Sequence, residues 1–247
     1  MYWQINLKNN FLLMVLLLCQ TFTVQAEADY AIARQEMVRM IADEVRATRL
    51  YLDKEQLNNK VLRMMAEVPR HQFVPENKVD YAYENRPLSI GHGQTISQPY
   101  IVAIMTDLLE LKPESRVLEL GTGSGYQAAI LSGLVKEVFS IEIIEPLAIA
   151  AKERLARLGF DNVTTKVGDG YYGWEEHAPF DAIIVTAAAS HIPPSLIRQL
   201  KVGGSMMIPV GSRFMTQQLL LVSKQDKDQL LSRQILPVRF VPVTGDH

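Results

Sequence analysis

Cysteine is nearly absent: the 247-residue chain has one, Cys19, so neither an intrachain disulfide framework nor a cysteine-rich zinc site can form. Surplus charge is absent too. The 25 Lys and Arg stand against 27 Asp and Glu, which argues against a nucleic-acid binder that relies on a broad basic face. The five histidines, His71, His92, His177, His191 and His247, are far apart and show no metal-ligand spacing. No G-x-S-x-G elbow occurs, so a hydrolase triad has little support. Internal repeats and low-complexity tracts are also missing. What remains is an ordinary globular composition, 48% hydrophobic and 21% charged, at a length suited to one domain with a small extension.

The first 26 residues read differently from the rest. Lys8 precedes the apolar run Phe11 to Cys19 (FLLMVLLLC), and Val24-Gln25-Ala26 follows. A short positive region, an apolar core and a small-residue cut site form the pattern of a secretory signal peptide, with an uncleaved anchor or a start codon placed too far upstream as the alternatives. Nine apolar residues are too few to span a bilayer, which takes about 20. Leu18 before Cys19 does not suit a lipoprotein site. The expectation is a cleaved leader over 1–26, export, and no stable membrane anchor afterwards.

Helical periodicity covers residues 30–66. Met37, Ile41 and Val45 form one stripe, and Leu57, Val61, Leu62 and Met65 another behind Asp53 as N-cap. Residues 67–98 carry Pro69, Pro75, Pro87, Gly91 and Gly93 and read as a long loop with little regular structure, the kind that is often functional. Helix returns from Pro99 to Leu111. Strands then alternate with helices: Arg116–Leu120, Glu137–Ile143, Asn162–Val167, Phe180–Thr186 and Ser205–Val210, with helices at Tyr126–Leu134, Pro146–Leu158 and Ser195–Leu200. Two further strands, Gln218–Ser223 and Ile235–Val243, have no helix between them. The pattern predicts an α/β fold: a doubly wound, mostly parallel sheet with an antiparallel edge and N-terminal helices.

Chemistry begins where the first of these strands ends. Glu119 to Gly125 (ELGTGSG) runs directly from strand to helix, so Gly121, Gly123 and Gly125 permit a sharp turn and a close approach to a ligand. The third glycine comes two residues after the second, and an acid precedes the first. That spacing suits a nucleoside–amino-acid ligand better than a pyrophosphate. Glu142 ends the next strand, where a carboxylate can accept both hydroxyls of a ribose. Asp169-Gly170 follows the third strand, at the same sheet edge, where an Asp can accept from an adenine amino group or simply make a turn. Earlier in the chain, Gly91 to Pro99 (GHGQTISQP) holds Ser97, either a working hydroxyl or a cap for the next helix.

The sequence resembles the protein-L-isoaspartate O-methyltransferase family. The resemblance rests on Val68 to Pro75 (VPRHQFVP), Gly93 to Pro99 (GQTISQP), Val117 to Ala128 (VLELGTGSGYQA), Gly168-Asp169-Gly170, Ala178 to Asp181 (APFD) and Arg239 to Pro242 (RFVP), and spans about residue 34 to the C-terminus. It implies one methyltransferase domain over 27–247, with N-terminal helices and a substrate loop over 27–98 and a cofactor-binding α/β core over 99–247. It implies methyl transfer from S-adenosyl-L-methionine to the free α-carboxylate of L-isoaspartyl residues in damaged proteins, whose esters then cyclise to succinimide. Ser97 corresponds to the active-site serine. Thr95, Ile96, Ser97, Glu119, Gly121, Gly123, Ser124, Gly125, Glu142, Asp169 and Gly170 fall at the cofactor site, with no metal. Isoaspartyl proteins and peptides are the implied partners, with no nucleic acid, and the chain is expected to be a monomer. Members of the family are typically cytosolic, which sets the leader apart.

That residue set suits the chemistry. A carboxylate is already anionic at neutral pH, so no general base is needed and alignment is the main task. A methyltransferase for another carboxylate or hydroxyl would share the glycine loop and Glu142 without needing GQTISQP. A non-catalytic binder of aged proteins would be expected to lose the cofactor motifs.

Overall fold

The structure is a computed structural model, and it describes residues 28–212, 215–243 and 245. The leader expected over 1–26 lies outside the described residues.

Helix α1 covers 28–47 and turns its stripe of Met37, Ile41 and Val45 fully inward. A short α2 (Arg49–Leu52) follows and ends at Asp53, whose backbone is left-handed at φ 55. Asp53 therefore closes α2 instead of opening the next helix. The N-cap of α3 (Asn59–Glu67) is Asn58, whose side chain accepts from the Lys60 N–H. Of the expected second stripe, Val61 and Met65 are buried and Leu62 is half-buried.

The stretch 67–98 is more ordered than its prolines and glycines predict. Two 3₁₀ turns occupy Arg70–Phe73 and Glu76–Tyr81, and a hairpin joins β1 (Leu88–Gly91) to β2 (Gln94–Ile96). Gly91, His92 and Gly93 all sit at positive φ, which makes the reversal. Strands this short carry too little alternation to be read in advance.

Helix α4 (Pro99–Asp107) leads into the main sheet. Its strands are β3 (Arg116–Leu120), β4 (Glu137–Glu142), β5 (Val163–Val167), β6 (Phe180–Val185), β7 (Leu200–Val210), β8 (Gln217–Lys224) and β9 (Leu230–Val238). The helices between them are α5 (Tyr126–Ser132), α6 (Glu145–Arg157) and α7 (Pro194–Gln199). The order is β5-β4-β3-β6-β7-β8-β9, with β8 and β9 antiparallel to their neighbours. Successive residues of β3 feed opposite faces: Val117 packs with the helices of the N-terminal half, whereas Leu118 and Leu120 pack with Phe139, Ile183 and Met206.

Two strands differ from expectation. β7 begins at Leu200 because the segment around Gly203, at φ 81, joins the sheet through an irregular register. β9 ends at Val238, and the chain beyond it crosses to the loop after β6, where Ala188 donates to the Val241 carbonyl and Val243 donates to the Ala188 carbonyl. Running from β3 out to β5 and then back to β6, the chain leaves a crevice at the carboxyl ends of β3 and β6.

Candidate active site

That crevice is an open cleft. The β3–α5 loop supplies Gly121 to Ser124, β4 supplies Glu142, and Gly170, Thr186 and Ala187 follow β5 and β6. The hairpin brings Gln94 to Ser97 over the opening, and Val241 to Val243 complete it.

The loop geometry follows from its own hydrogen bonds. The N–H groups of Gly121 and Thr122 donate to the Ile141 carbonyl, and Gly125 donates to the Thr122 carbonyl. Gly121 lies at φ 91, and a Cβ there would come within 2.5 Å of Thr186 Oγ1. Glu142 is held from both sides: Oε2 accepts from the Gly123 N–H at 2.7 Å and Oε1 from the Ile144 N–H at 2.9 Å. A carboxylate offers about four acceptor positions, so two remain toward the cleft that Glu142 lines.

Three of the expected cofactor-site residues are not among those lining this cleft. Glu119 is wholly buried behind the loop, where Oε2 accepts from Ser140 Oγ at 2.5 Å, and Ser140 reaches Thr122 Oγ1 at 2.6 Å. Burial pushes its carboxyl up to about 8, so Glu119 is protonated at neutral pH. It braces the loop from behind, because a strand residue one position from Leu120 faces the opposite side of the sheet. Asp169 accepts from the Tyr171 N–H at 2.9 Å and caps the turn Gly170–Tyr172, leaving Gly170 on the cleft wall. Gly125 opens α5 at φ 87, and the space of its missing Cβ is bounded by Leu155 at 3.3 Å. Thr95, Ile96, Ser97, Gly121, Gly123, Ser124, Glu142 and Gly170 do come together on the cleft.

A second cleft adjoins the first. Glu44, Thr48 and Tyr51 of the N-terminal helices form one side, and Leu236 to Val241 form the other. Gln98 Nε2 donates to both Glu44 oxygens at 3.1 and 3.3 Å, and Asn85 Nδ2 donates to Oε2 at 2.5 Å. Thr95, Ser97, Thr186 and Val241 line both clefts, so the two meet at these residues. The Ser97 hydroxyl makes no hydrogen bond among the described residues, and the N-cap of α4 is Gln98, so Ser97 does not serve as the helix cap. Thr186 was not anticipated; a hydroxyl residue ending an otherwise apolar strand was its signal.

A glycine loop after β3, an acid ending β4 and an antiparallel edge on a parallel sheet define an α/β protein of the methyltransferase type. Residues 45–247 match the protein-L-isoaspartate(D-aspartate) O-methyltransferase (PCMT) family, and the chain belongs to it. Protein-L-isoaspartate O-methyltransferase 2 of Syntrophobacter fumaroxidans is 61% identical over 222 residues, covering 90% of each chain. Protein-L-isoaspartate O-methyltransferase 1 of Cupriavidus necator is 60% identical over 222 residues, covering 89% of this chain and 86% of its own. A solved protein-L-isoaspartate O-methyltransferase superposes with a TM-score of 0.75 at 30% identity, over 86% of this chain and 66% of that one. The Plasmodium falciparum protein, described as a putative protein-L-isoaspartate O-methyltransferase and solved with S-adenosyl-L-homocysteine, gives 0.69 at 27% identity, over 83% of this chain and 97% of that one.

Proposed function

We propose that this chain methylates the free α-carboxylate of L-isoaspartyl residues in damaged proteins, with S-adenosyl-L-methionine as donor. The observation that carries the reading is the meeting of the two clefts at Ser97, Thr95, Thr186 and Val241. A donor in the first cleft and an acceptor in the second have one place to approach each other. The cofactor supplies a methyl group activated on a sulfonium. Glu142, fixed by two backbone N–H groups, accepts the ribose hydroxyls with its remaining positions. Glycines of the β3–α5 loop let the backbone lie against the ligand. The second cleft takes the peptide, and the Ser97 hydroxyl, which makes no hydrogen bond among the described residues, donates to the carboxylate and turns one oxygen toward the join. Because the nucleophile is already ionised, this orientation is the chain's main contribution. Every residue named here comes from one chain, which suits a monomer, and the proposed substrate is protein, not nucleic acid.

The test is transfer of labelled methyl to an isoaspartyl peptide, with the matching aspartyl peptide as control. Label on the first alone supports the reading. Equal label on both points to another carboxylate acceptor, and none on either favours a non-catalytic binder. Ser97→Ala is expected to lower kcat by roughly 10- to 100-fold while S-adenosylhomocysteine binds almost as before. Equal loss of both removes the positioning role.

A further inference from the structure

Arg70 lies in the first 3₁₀ turn with no exposed surface, and it is the largest such side chain in the described structure. Its Nε donates to the Ala82 carbonyl at 2.8 Å, and its Nη2 donates to the Ser97 carbonyl at 2.7 Å. The guanidinium carbon stands 4.7 Å from the ring centroid of Tyr126, the first residue of α5 and part of the first cleft's wall. Among the described residues no carboxylate pairs with it. Its Nη1 and the Tyr126 hydroxyl are both buried and make no hydrogen bond of ordinary geometry among the described residues, although the two side chains interact electrostatically with each other. Burial brings Arg70 down to about 10 and Tyr126 up to about 12, so near neutral pH the first keeps its charge and the second its proton.

A buried cation without a counter-ion is costly, and an apolar side chain of similar volume would pack there more favourably. What the guanidinium offers in exchange is a rigid planar fork that ties two carbonyls in fixed directions while stacking on a ring. Those carbonyls belong to Ala82 and to the residue whose hydroxyl stands at the join of the clefts.

We infer that Arg70 is a positioning residue for methyl transfer: it locks the Ser97 backbone against the cofactor-side helix α5 and so fixes where the Ser97 hydroxyl points. The inference rests on the methyl-transfer reading, so wild-type transfer to the isoaspartyl peptide is measured first. Its absence there fails that reading, whereas the tests below address Arg70 in an active enzyme. Displacing a positioned group by about 1 Å costs up to about 100-fold in rate. Arg70→Lys keeps the charge and loses the fork. It is expected to lower kcat by roughly 10- to 100-fold with the S-adenosylhomocysteine Kd within about threefold of wild type. The decisive measurement is a cycle with Ser97→Ala: if Arg70 acts through Ser97, the double variant is scarcely slower than either single one. Fully additive effects overturn the inference, as does an equal loss of cofactor affinity. Hydrogen exchange on the wild-type chain gives a check that needs no variant. Segments 70–73 and 95–99 are expected to open together, and exchange on separate time scales overturns the lock.

Discussion

Replacing Glu119 by Gln isolates the energetic effect of one buried acid. Glu119 lies within β3 opposite Ser140 of β4, and no cation faces it. Its Oε1 has no partner, its Oε2 accepts from Ser140, and the Glu142 charge adds to the penalty for ionising it. Loss of solvent is the main cause that raises the carboxyl from 4.5 to about 8. The folded chain therefore holds this proton more tightly than the unfolded chain. The stability associated with it is fully present below about pH 4.5, declines as pH rises toward about 8, and is level beyond. The slope is about 1.4 kcal/mol per pH unit, which amounts to ~3 kcal/mol at pH 7, ~4 kcal/mol at pH 8 and ~5 kcal/mol well above it. Gln stays neutral throughout, keeps an acceptor for Ser140, and puts its amide where Oε1 was already unpartnered. E119Q is thus expected to match the wild type in acid and to exceed it progressively above. Urea unfolding of both chains at steps from about pH 5 to about pH 9 measures the difference. Curves that run parallel, with no growing gap, refute the buried neutral acid and leave Glu119 ionised and compensated.

Gly121→Ala places a Cβ in a left-handed conformation against Thr186 Oγ1, whose hydroxyl donates to the Leu120 and Gly121 carbonyls at 2.8 and 2.7 Å. A loss of ~2–4 kcal/mol is expected in thermal or urea unfolding, with weaker S-adenosylhomocysteine binding by calorimetry. Adding Thr186→Ala should recover part of that loss. Asp107 has a fully buried side chain that accepts from the Asn58 N–H at 2.6 Å and from Lys54 Nζ at 2.5 Å. Asp107→Ala leaves both donors short of a partner and should cost ~3 kcal/mol in unfolding free energy without changing the methyl acceptor. For the leader, N-terminal sequencing of protein from fractionated cells should return Glu27 outside the cytosol, and an intact cytosolic chain would refute export.

The main sheet was legible because buried parallel strands leave short apolar runs between turn signals. Arg116–Leu120 carries that signal in five residues and matches β3 to the residue. The 67–98 region was not legible. Its order comes from long-range contacts, Arg70 to the Ser97 carbonyl and His71 Nδ1 to the Tyr83 hydroxyl at 2.6 Å, which leave no periodicity. β9 was misplaced toward the C-terminus. Its exposed Leu230 and Leu231 stand outside the core, so the apolar run that suggested a strand began too late. At the site, Glu142 and the glycines could be placed from their spacing at strand ends. Glu119 follows strand alternation to the face opposite Leu120, whereas the direction of Asp169 depends on how the backbone turns after β5 ends.

The glycine loop itself says less about the ligand than its fame as a motif suggests. Gly121 is required by Thr186, and the space beside Gly125 is bounded by Leu155, so the chain's own packing would retain both with no cofactor at all. Gly123 is different: the position of its missing Cβ is in ordinary contact, 3.4 Å from Ile90 Cδ1, and its N–H is committed to Glu142. That bond and the one from Ile144 fix a carboxylate 5% exposed, with acceptor positions left over on a cleft wall. A carboxylate so held keeps lone pairs that hydroxyl donors in the cleft can use. The Ser97 hydroxyl, which makes no hydrogen bond among the described residues, lies at the join of the clefts. A chain that only bound aged proteins would keep Gly121 and Gly125 for packing, but it would have no use for either of these two groups in these positions.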